Sequence, residues 1–145
     1  MVGCYINLAE RGEEESDRYL TQILWSGSSV DHETVEIVRV VALTDNTLKV
    51  TGEASGKMLH EEIFTAGKDF TFKSGKIIIK RKLYGAVDVF TGVIYESIAL
   101  GIDEHSDGKY TISRTYIGLA FILMPVANQD TVAYRFRRVQ GSCHE

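Results

Sequence analysis

The clearest alternation of apolar and polar positions lies near the C-terminal end of the chain, in residues 110–139. Val132, Tyr134 and Phe136 alternate with polar or charged residues, and this period of two predicts a strand with one buried face. Residues 116–126, just before it, form the most apolar run of the sequence and are expected to be a strand buried on both faces. Residues 127–130 break the run, so the two segments predict a β-hairpin at the centre of the fold.

Similar pairs of strands recur upstream of this hairpin, separated by short polar turns. Asp45-Asn46 and Ser74-Gly75 each separate two strand-like segments, and residues 103–108 reverse the chain before the last hairpin. The pattern gives eight or nine strands at the spacing that is typical of antiparallel β proteins. We therefore expect an all-β fold, an antiparallel meander that forms either a barrel, which includes a lipocalin-like barrel, or a two-sheet sandwich.

The length of the chain predicts one domain, because 145 residues suffice to bury a core without disulfides or metals. The organisation expected from composition is an N-terminal leader or tether over residues 1–16, one β domain over 17–140 and a short tail over 141–145. The acidic run in residues 10–17 suggests the tether, since unpaired carboxylates are costly to bury.

The charge balance argues against a nucleic-acid partner, because the net charge is −4 and the basic residues are scattered. Two interpretations exist for the basic residues on predicted strands: a face for anionic headgroups or acidic partners, or protection of strand edges against pairing. The acidic net charge favours edge protection. These residues are Lys73, Lys76, Lys80, Arg81, Lys82, Arg135, Arg137 and Arg138.

The sequence contains no motif that predicts catalysis, a cofactor or a metal site. The segment 52–57 has three residues between its glycines where a phosphate loop has four, and Met58 follows Lys57 where the motif needs Ser or Thr. Each histidine stands beside acidic residues in or near a predicted turn, without metal-ligand spacing. We therefore expect a non-catalytic protein without a cofactor.

The aromatic residues of the later strands admit two interpretations, a filled core or the lining of a ligand cavity in a small barrel. The candidates are Tyr95, Tyr116, Phe121, Tyr134 and Phe136. A cavity would imply a carrier for a small apolar ligand.

The start of the chain, Val2-Gly3-Cys4, resembles the end of a bacterial lipobox, in which small residues precede the cysteine that receives lipid. The C-terminal strands, with Met124-Pro125-Val126-Ala127 and Tyr134-Arg135-Phe136, also resemble the ends of small uncharacterised bacterial lipoprotein domains. The resemblance covers about a third of the chain. It implies lipidation at Cys4 and a lipid-anchored place on the periplasmic face of the cell envelope.

Two alternatives to lipidation stay open at this point. The chain is a cytoplasmic protein with a chance Gly-Cys pair, or Cys4 forms a disulfide with Cys143, which needs adjacent termini and an oxidising compartment. The leading functional hypothesis is a cell-envelope lipoprotein domain that acts as a binding or structural module. Its partner would be a protein or a small apolar ligand, and the lipocalin-like carrier is the alternative.

Overall fold

The computed structural model describes residues 1–10, 18–87, 90–120 and 124–139, with side chains at all of these except 85–87 and 90. In this part of the chain nine strands and one short helix follow one another. They are β1 Gly3–Ile6, α1 Leu20–Leu24, β2 Ile37–Thr44, β3 Thr47–Ala54, β4 Lys57–Thr65, β5 Thr71–Lys73, β6 Lys76–Val87, β7 Phe90–Ile102, β8 Gly108–Ala120 and β9 Met124–Phe136.

The strands form two antiparallel sheets in which neighbours along the chain are also neighbours in space. The first sheet has the order β1-β2-β3-β4 and the second the order β5-β6-β7-β8-β9. The predicted all-β antiparallel meander is confirmed. Of the two predicted architectures, the described strands show two sheets rather than one closed barrel.

The hydrophobic core lies between the two sheets and is covered at one side by α1. Val38, Val40, Leu48 and Val50 enter it from the first sheet. From the second sheet the core receives Ile77, Ile79, Ile98, Leu100, Tyr110, Ile112, Tyr134 and Phe136. Leu20, Ile23 and Trp25 come from α1 and the residue after it. In β2, β3 and the adjoining half of β6 to β9, the period of two therefore places every second residue in the core.

Asn7 holds the helix and the loop before β2 in place, although its polar side chain is fully buried. Its Nδ2 donates hydrogen bonds to the backbone oxygens of His32 (2.8 Å) and Val35 (2.9 Å). Its Oδ1 accepts one from the backbone N–H of Thr21 (3.0 Å). Three satisfied hydrogen bonds offset the cost of burying the amide.

The N-terminal segment belongs to the fold, which corrects the prediction of a tether for residues 1–10. β1 pairs with β2 on one side, and on the other its Ile6 and Cys4 hydrogen-bond the backbone of Arg137 and Val139. Tyr5 in β1 is fully buried in the core. The alternation in Cys4-Tyr5-Ile6 is too short to distinguish an edge strand from a tether. Residues 11–16 lie outside the described residues.

Except for β5, the strands of the second sheet are longer than those of the first, and this difference decides where the core ends. β7, β8 and β9 have 13 residues each, whereas β2 and β3 have eight. Only the half of the second sheet that carries Ile98 and Ile112 is buried in the core. The other half extends past it.

Residues 116–120 and 124–126 of the apolar run lie in this extended half, at the end of β8 and the start of β9. The prediction of one strand buried on both faces is therefore wrong. The turn predicted at 127–130 is wrong as well, since these residues lie within β9. Ile117, Leu119 and Met124 are each about half exposed. Hydrophobicity alone indicated burial, but the first sheet is too short to cover this part of β8 and β9.

Candidate functional site

A row of four charged residues crosses the second sheet at the point where the core ends. Arg81, Glu96, Arg114 and Asp130 stand in register on β6, β7, β8 and β9. They continue the face of the sheet that carries Ile79, Ile98, Ile112 and Val132, two residues further along each strand. We call these four residues the charged row.

The charges of the row alternate in sign, and ion pairs join Glu96 to Arg81 and to Arg114. Glu96, which is buried, accepts a hydrogen bond from Arg114 Nε at 3.0 Å and lies 3.7 Å from Arg81 Nη1. Arg81 also donates to the backbone oxygen of Ile23 in α1, which links the row to the helix. Partial burial opposes the charge on Arg114, yet its hydrogen bond with Glu96 raises its pKa above the ordinary value.

Beyond the charged row the second sheet forms a protruding four-stranded segment, which we call the arm. It comprises residues 82–87, 90–95, 115–120 and 124–129. Large apolar side chains are exposed on both of its faces. Leu83 and Met124 lie on the face that continues the core, and Tyr84, Ile117 and Leu119 lie on the opposite face.

The exposure in the arm is large for side chains of this kind. Tyr84 is 72% exposed, Met124 54% and Ile117 51%. Contiguous apolar patches are uncommon on soluble monomers and often mark interaction sites. The arm is therefore the strongest candidate for a functional surface in the described part of the chain.

Tyrosines and a lysine stand at the base of the arm, next to the charged row. Lys82 Nζ lies 4.9 Å from the ring centre of Tyr84 and 5.6 Å from that of Tyr95. A side-chain hydrogen bond with Tyr84 raises the pKa of Lys82, so the lysine stays charged. On the other face the Tyr116 hydroxyl donates to Asp130 Oδ2 at 3.2 Å. Partial burial and the neighbouring Asp130 carboxylate raise the pKa of Tyr116.

The structure separates the aromatic residues that the sequence grouped as core or cavity candidates. Tyr134 and Phe136 are core residues, and Tyr134 stacks on Tyr110 at 5.7 Å between ring centres. Tyr95 and Tyr116 belong to the arm, on opposite faces. Phe121 lies outside the described residues.

Between the two sheets, the described side chains are closely packed. The pocket lined by side chains such as Val50, Phe70 and Ile79 has a volume of only about 20 Å³. A ligand pocket for a drug-sized molecule has roughly 300 Å³ or more. This core has no room for such a ligand.

An open groove of about 670 Å³ lies on the outer face of the second sheet, over Ala99, Thr111 and Ala133. Charged residues surround it, and several of them neutralise each other. Arg135 lies 2.7 Å from Asp103 and 3.9 Å from Glu10. Slight desolvation opposes the charge on Asp103, but hydrogen bonds from the backbone of residues 107 and 105 and the pairing with Arg135 lower its pKa. These contacts stabilise the predicted turn at 103–108.

Cys4, the candidate for lipidation, is buried in β1 and disulfide-bonded. The only other cysteine in the sequence is Cys143, which lies outside the described residues. A sulfur atom in a disulfide cannot also carry the thioether of a lipoprotein. The two hypotheses for Cys4 are thus mutually exclusive, and lipidation stays a prediction that requires a free thiol.

The histidines do not converge on one another in the described part of the chain. His60 packs edge-on against Trp25 at 4.6 Å between ring centres, and His105 is an exposed turn residue. His144 lies outside the described residues. Among the residues that the structure describes, no three His, Cys, Asp or Glu side chains form a group that would hold a metal ion.

No family model, curated protein or solved structure matches this chain. In the described residues no helix has the length and apolar character of a membrane span. The arm itself was not predicted from the sequence. The signal that could have indicated it is a set of four uncharged segments, 83–87, 90–95, 115–120 and 124–129, which adjoin Lys82, Glu96, Arg114 and Asp130.

Proposed function

We propose that this chain is a non-catalytic binding module of the cell envelope and that the arm is its binding surface. The observation that carries the proposal is the contrast between a filled core and an arm with exposed apolar side chains on both faces. Exposing Tyr84, Ile117, Leu119 and Met124 to water is unfavourable, and a partner that covers them would recover that free energy.

The disulfide at Cys4 supports a place outside the cytoplasm, since disulfides persist in oxidising compartments. Mass spectrometry of the intact protein from its native host tests this part of the proposal. A disulfide predicts a mass lower by two hydrogens than that of the reduced chain. A lipid adduct on Cys4 would exclude the disulfide but would still place the protein in the cell envelope. Two free thiols in the native host would contradict an oxidising location.

Binding at the arm can be separated experimentally from binding inside the fold, because Trp25, the only tryptophan, is buried in the core. The dye anilinonaphthalene sulfonate binds exposed apolar surface. We expect it to bind the native protein and to lose most of that binding in the double variant Ile117→Ser, Leu119→Ser. The matched control is Leu59→Ser, Ile63→Ser, which removes two comparably exposed side chains from β4.

A titration with palmitate addresses the carrier alternative in the same samples. We expect the emission of Trp25 to remain unchanged, because the core has no space for an acyl chain. Saturable palmitate binding that shifts Trp25 emission would favour the carrier. Equal dye binding by native protein and arm variant would contradict the proposed surface.

A further inference from the structure

We propose that the arm docks onto a phospholipid bilayer surface that carries anionic headgroups. This inference rests on the proposed function and names the partner of the same surface. It follows from the order in which apolar, aromatic and cationic residues succeed one another from the tip of the arm to its base.

The tip of the arm is apolar on both faces. The described strands beyond Tyr84, residues 85–87, 90–93, 117–120 and 124–127, contain no ionisable residue, and Asp88 lies outside the described residues. Met124 is exposed on one face and Leu119 on the other, while Leu83 and Ile117 lie level with the tyrosines. A protein that docks on a flat sheet covers one face, whereas a bilayer surrounds an inserted tip on all sides.

A tyrosine level follows the tip. Tyr84, Tyr95 and Tyr116 fall within two residues of one another along the register of β6, β7 and β8. Tyrosine prefers the boundary between hydrocarbon and water, because its ring is apolar and its hydroxyl is polar. All three are in the right place to mark the depth at which the arm meets the headgroups.

Cationic residues begin at the level of Tyr95 and continue behind it. They are Lys82, which lies opposite Tyr95, and then Arg81, Arg114 and Lys80, against the two carboxylates of Glu96 and Asp130. This leaves an excess of two positive charges in a chain whose net charge is −4. Lys80 and Lys82 are exposed and form no ion pair within the described residues, so they are available to headgroup phosphates.

The dimensions of the arm fit shallow insertion. From Tyr84 to the last register pair, Val87 and Phe90, the strands extend three residues, or about 10 Å at about 3.4 Å per residue. Interfacial elements enter the bilayer by roughly 5–10 Å, far less than its hydrocarbon thickness of about 30 Å.

The edges of the arm also limit the depth. β5 pairs with β6 only as far as Ile78, and no described strand pairs with the outer edge of β9 between Met124 and Asp130. Unpaired backbone groups on an open edge cannot enter hydrocarbon without a large cost, but at the interface water still reaches them.

A second copy of the chain is a poorer occupant, because one face of the arm is small. Four strands at about 4.8 Å and six residues at about 3.4 Å give a flat face of roughly 400 Å². A standard stable interface buries about 800 Å² on each partner. One face of the arm therefore supplies about half of what a stable dimer needs.

Sedimentation of the full chain with phospholipid vesicles tests the inference. We expect binding to vesicles of phosphatidylcholine mixed with phosphatidylglycerol and much weaker binding to phosphatidylcholine alone. The double variant Ile117→Ser, Leu119→Ser should weaken binding at least about tenfold, since the inserted apolar area falls. The control Leu59→Ser, Ile63→Ser should bind like the native protein.

A charge-reversal pair tests these cationic residues. Lys80→Glu, Lys82→Glu should reduce binding to the anionic vesicles by about tenfold or more, because each lysine near the surface contributes to attraction. Lys57→Glu, Lys68→Glu makes the same change in net charge at exposed positions in β4 and the turn after it, outside the second sheet, and should have little effect. Trp25 emission and the melting temperature confirm that every variant is folded.

Three outcomes would overturn the inference: absence of binding to either vesicle, equal binding by the arm variant, or a dimer in analytical ultracentrifugation that the arm variant loses. The last outcome would make a second copy the occupant. If vesicles do not bind while the arm still binds the dye, the lipid inference fails and the proposed binding surface stands. Loss of both would remove the proposed function as well.

Discussion

At the scale of single residues, the packing of Trp25 onto Gly52 shows how closely the core is fitted. A Cβ atom on Gly52 would lie 2.9 Å from Cη2 of Trp25 and 3.2 Å from Cγ1 of Val35. Both neighbours are buried, and Trp25 is also packed against His60. Glycine is required at this place because the indole ring occupies the space of a side chain on β3.

Replacing Gly52 by alanine should therefore destabilise the protein by about 1–3 kcal/mol, the usual cost of overpacking a core. Urea denaturation followed by Trp25 emission measures the change. Gly101→Ala is a suitable control, since its new methyl group would meet only the flexible side chain of Lys76 at 3.2 Å. Equal stability of the two variants would show that the ring of Trp25 does not hold this position.

At the scale of elements, the charged row divides each long strand into a core half and an arm half. Glu96 is the centre of the row, since its carboxylate is the ion-pair partner of both Arg81 and Arg114. The row places charge where the first sheet ends, and Arg81 joins it to α1. The arginines are partly exposed, so solvent screens these pairs in part.

The variant Glu96→Ala should lower the free energy of unfolding by about 1–3 kcal/mol, because it leaves two partly buried guanidinium groups without their acceptor. Glu104→Ala removes a highly exposed carboxylate and should change it by less than about 0.5 kcal/mol. Both values come from urea denaturation. A loss at Glu96 no greater than that at Glu104 would contradict a structural role for the row.

The sequence predicted some strands and turns, but it did not predict which strands other parts of the chain would cover. The turns at Asp45-Asn46 and Ser74-Gly75 were predictable, because alternation and turn residues act locally. The turn predicted at 127–130 is wrong, because these residues pair with β8 inside β9. The exposure of Ile117 and Leu119 was not predictable, because it depends on the length of a different sheet. The role of Cys4-Tyr5-Ile6 was missed for a similar reason, since its partners lie more than thirty residues away in β2 and at Arg137 to Val139.

At the scale of the whole molecule, two sheets of unequal length give a packed core and an exposed arm. The shorter sheet covers the half of the longer one that carries Ile98 and Ile112, and the arm extends beyond it. The most apolar run of the sequence thus contributes little to the core. We interpret its hydrophobicity as a property of the binding surface.

A comparison of stability losses along β8 tests this division most directly. Ile112→Ala should lower the free energy of unfolding by about 2–5 kcal/mol, because Ile112 is buried between the sheets. Ile117→Ser should lower it by less than about 1 kcal/mol, although Ile117 lies in the same strand and is equally apolar. Urea denaturation monitored through Trp25 gives both numbers. Similar, large losses at the two positions would contradict the account and place the arm within the core.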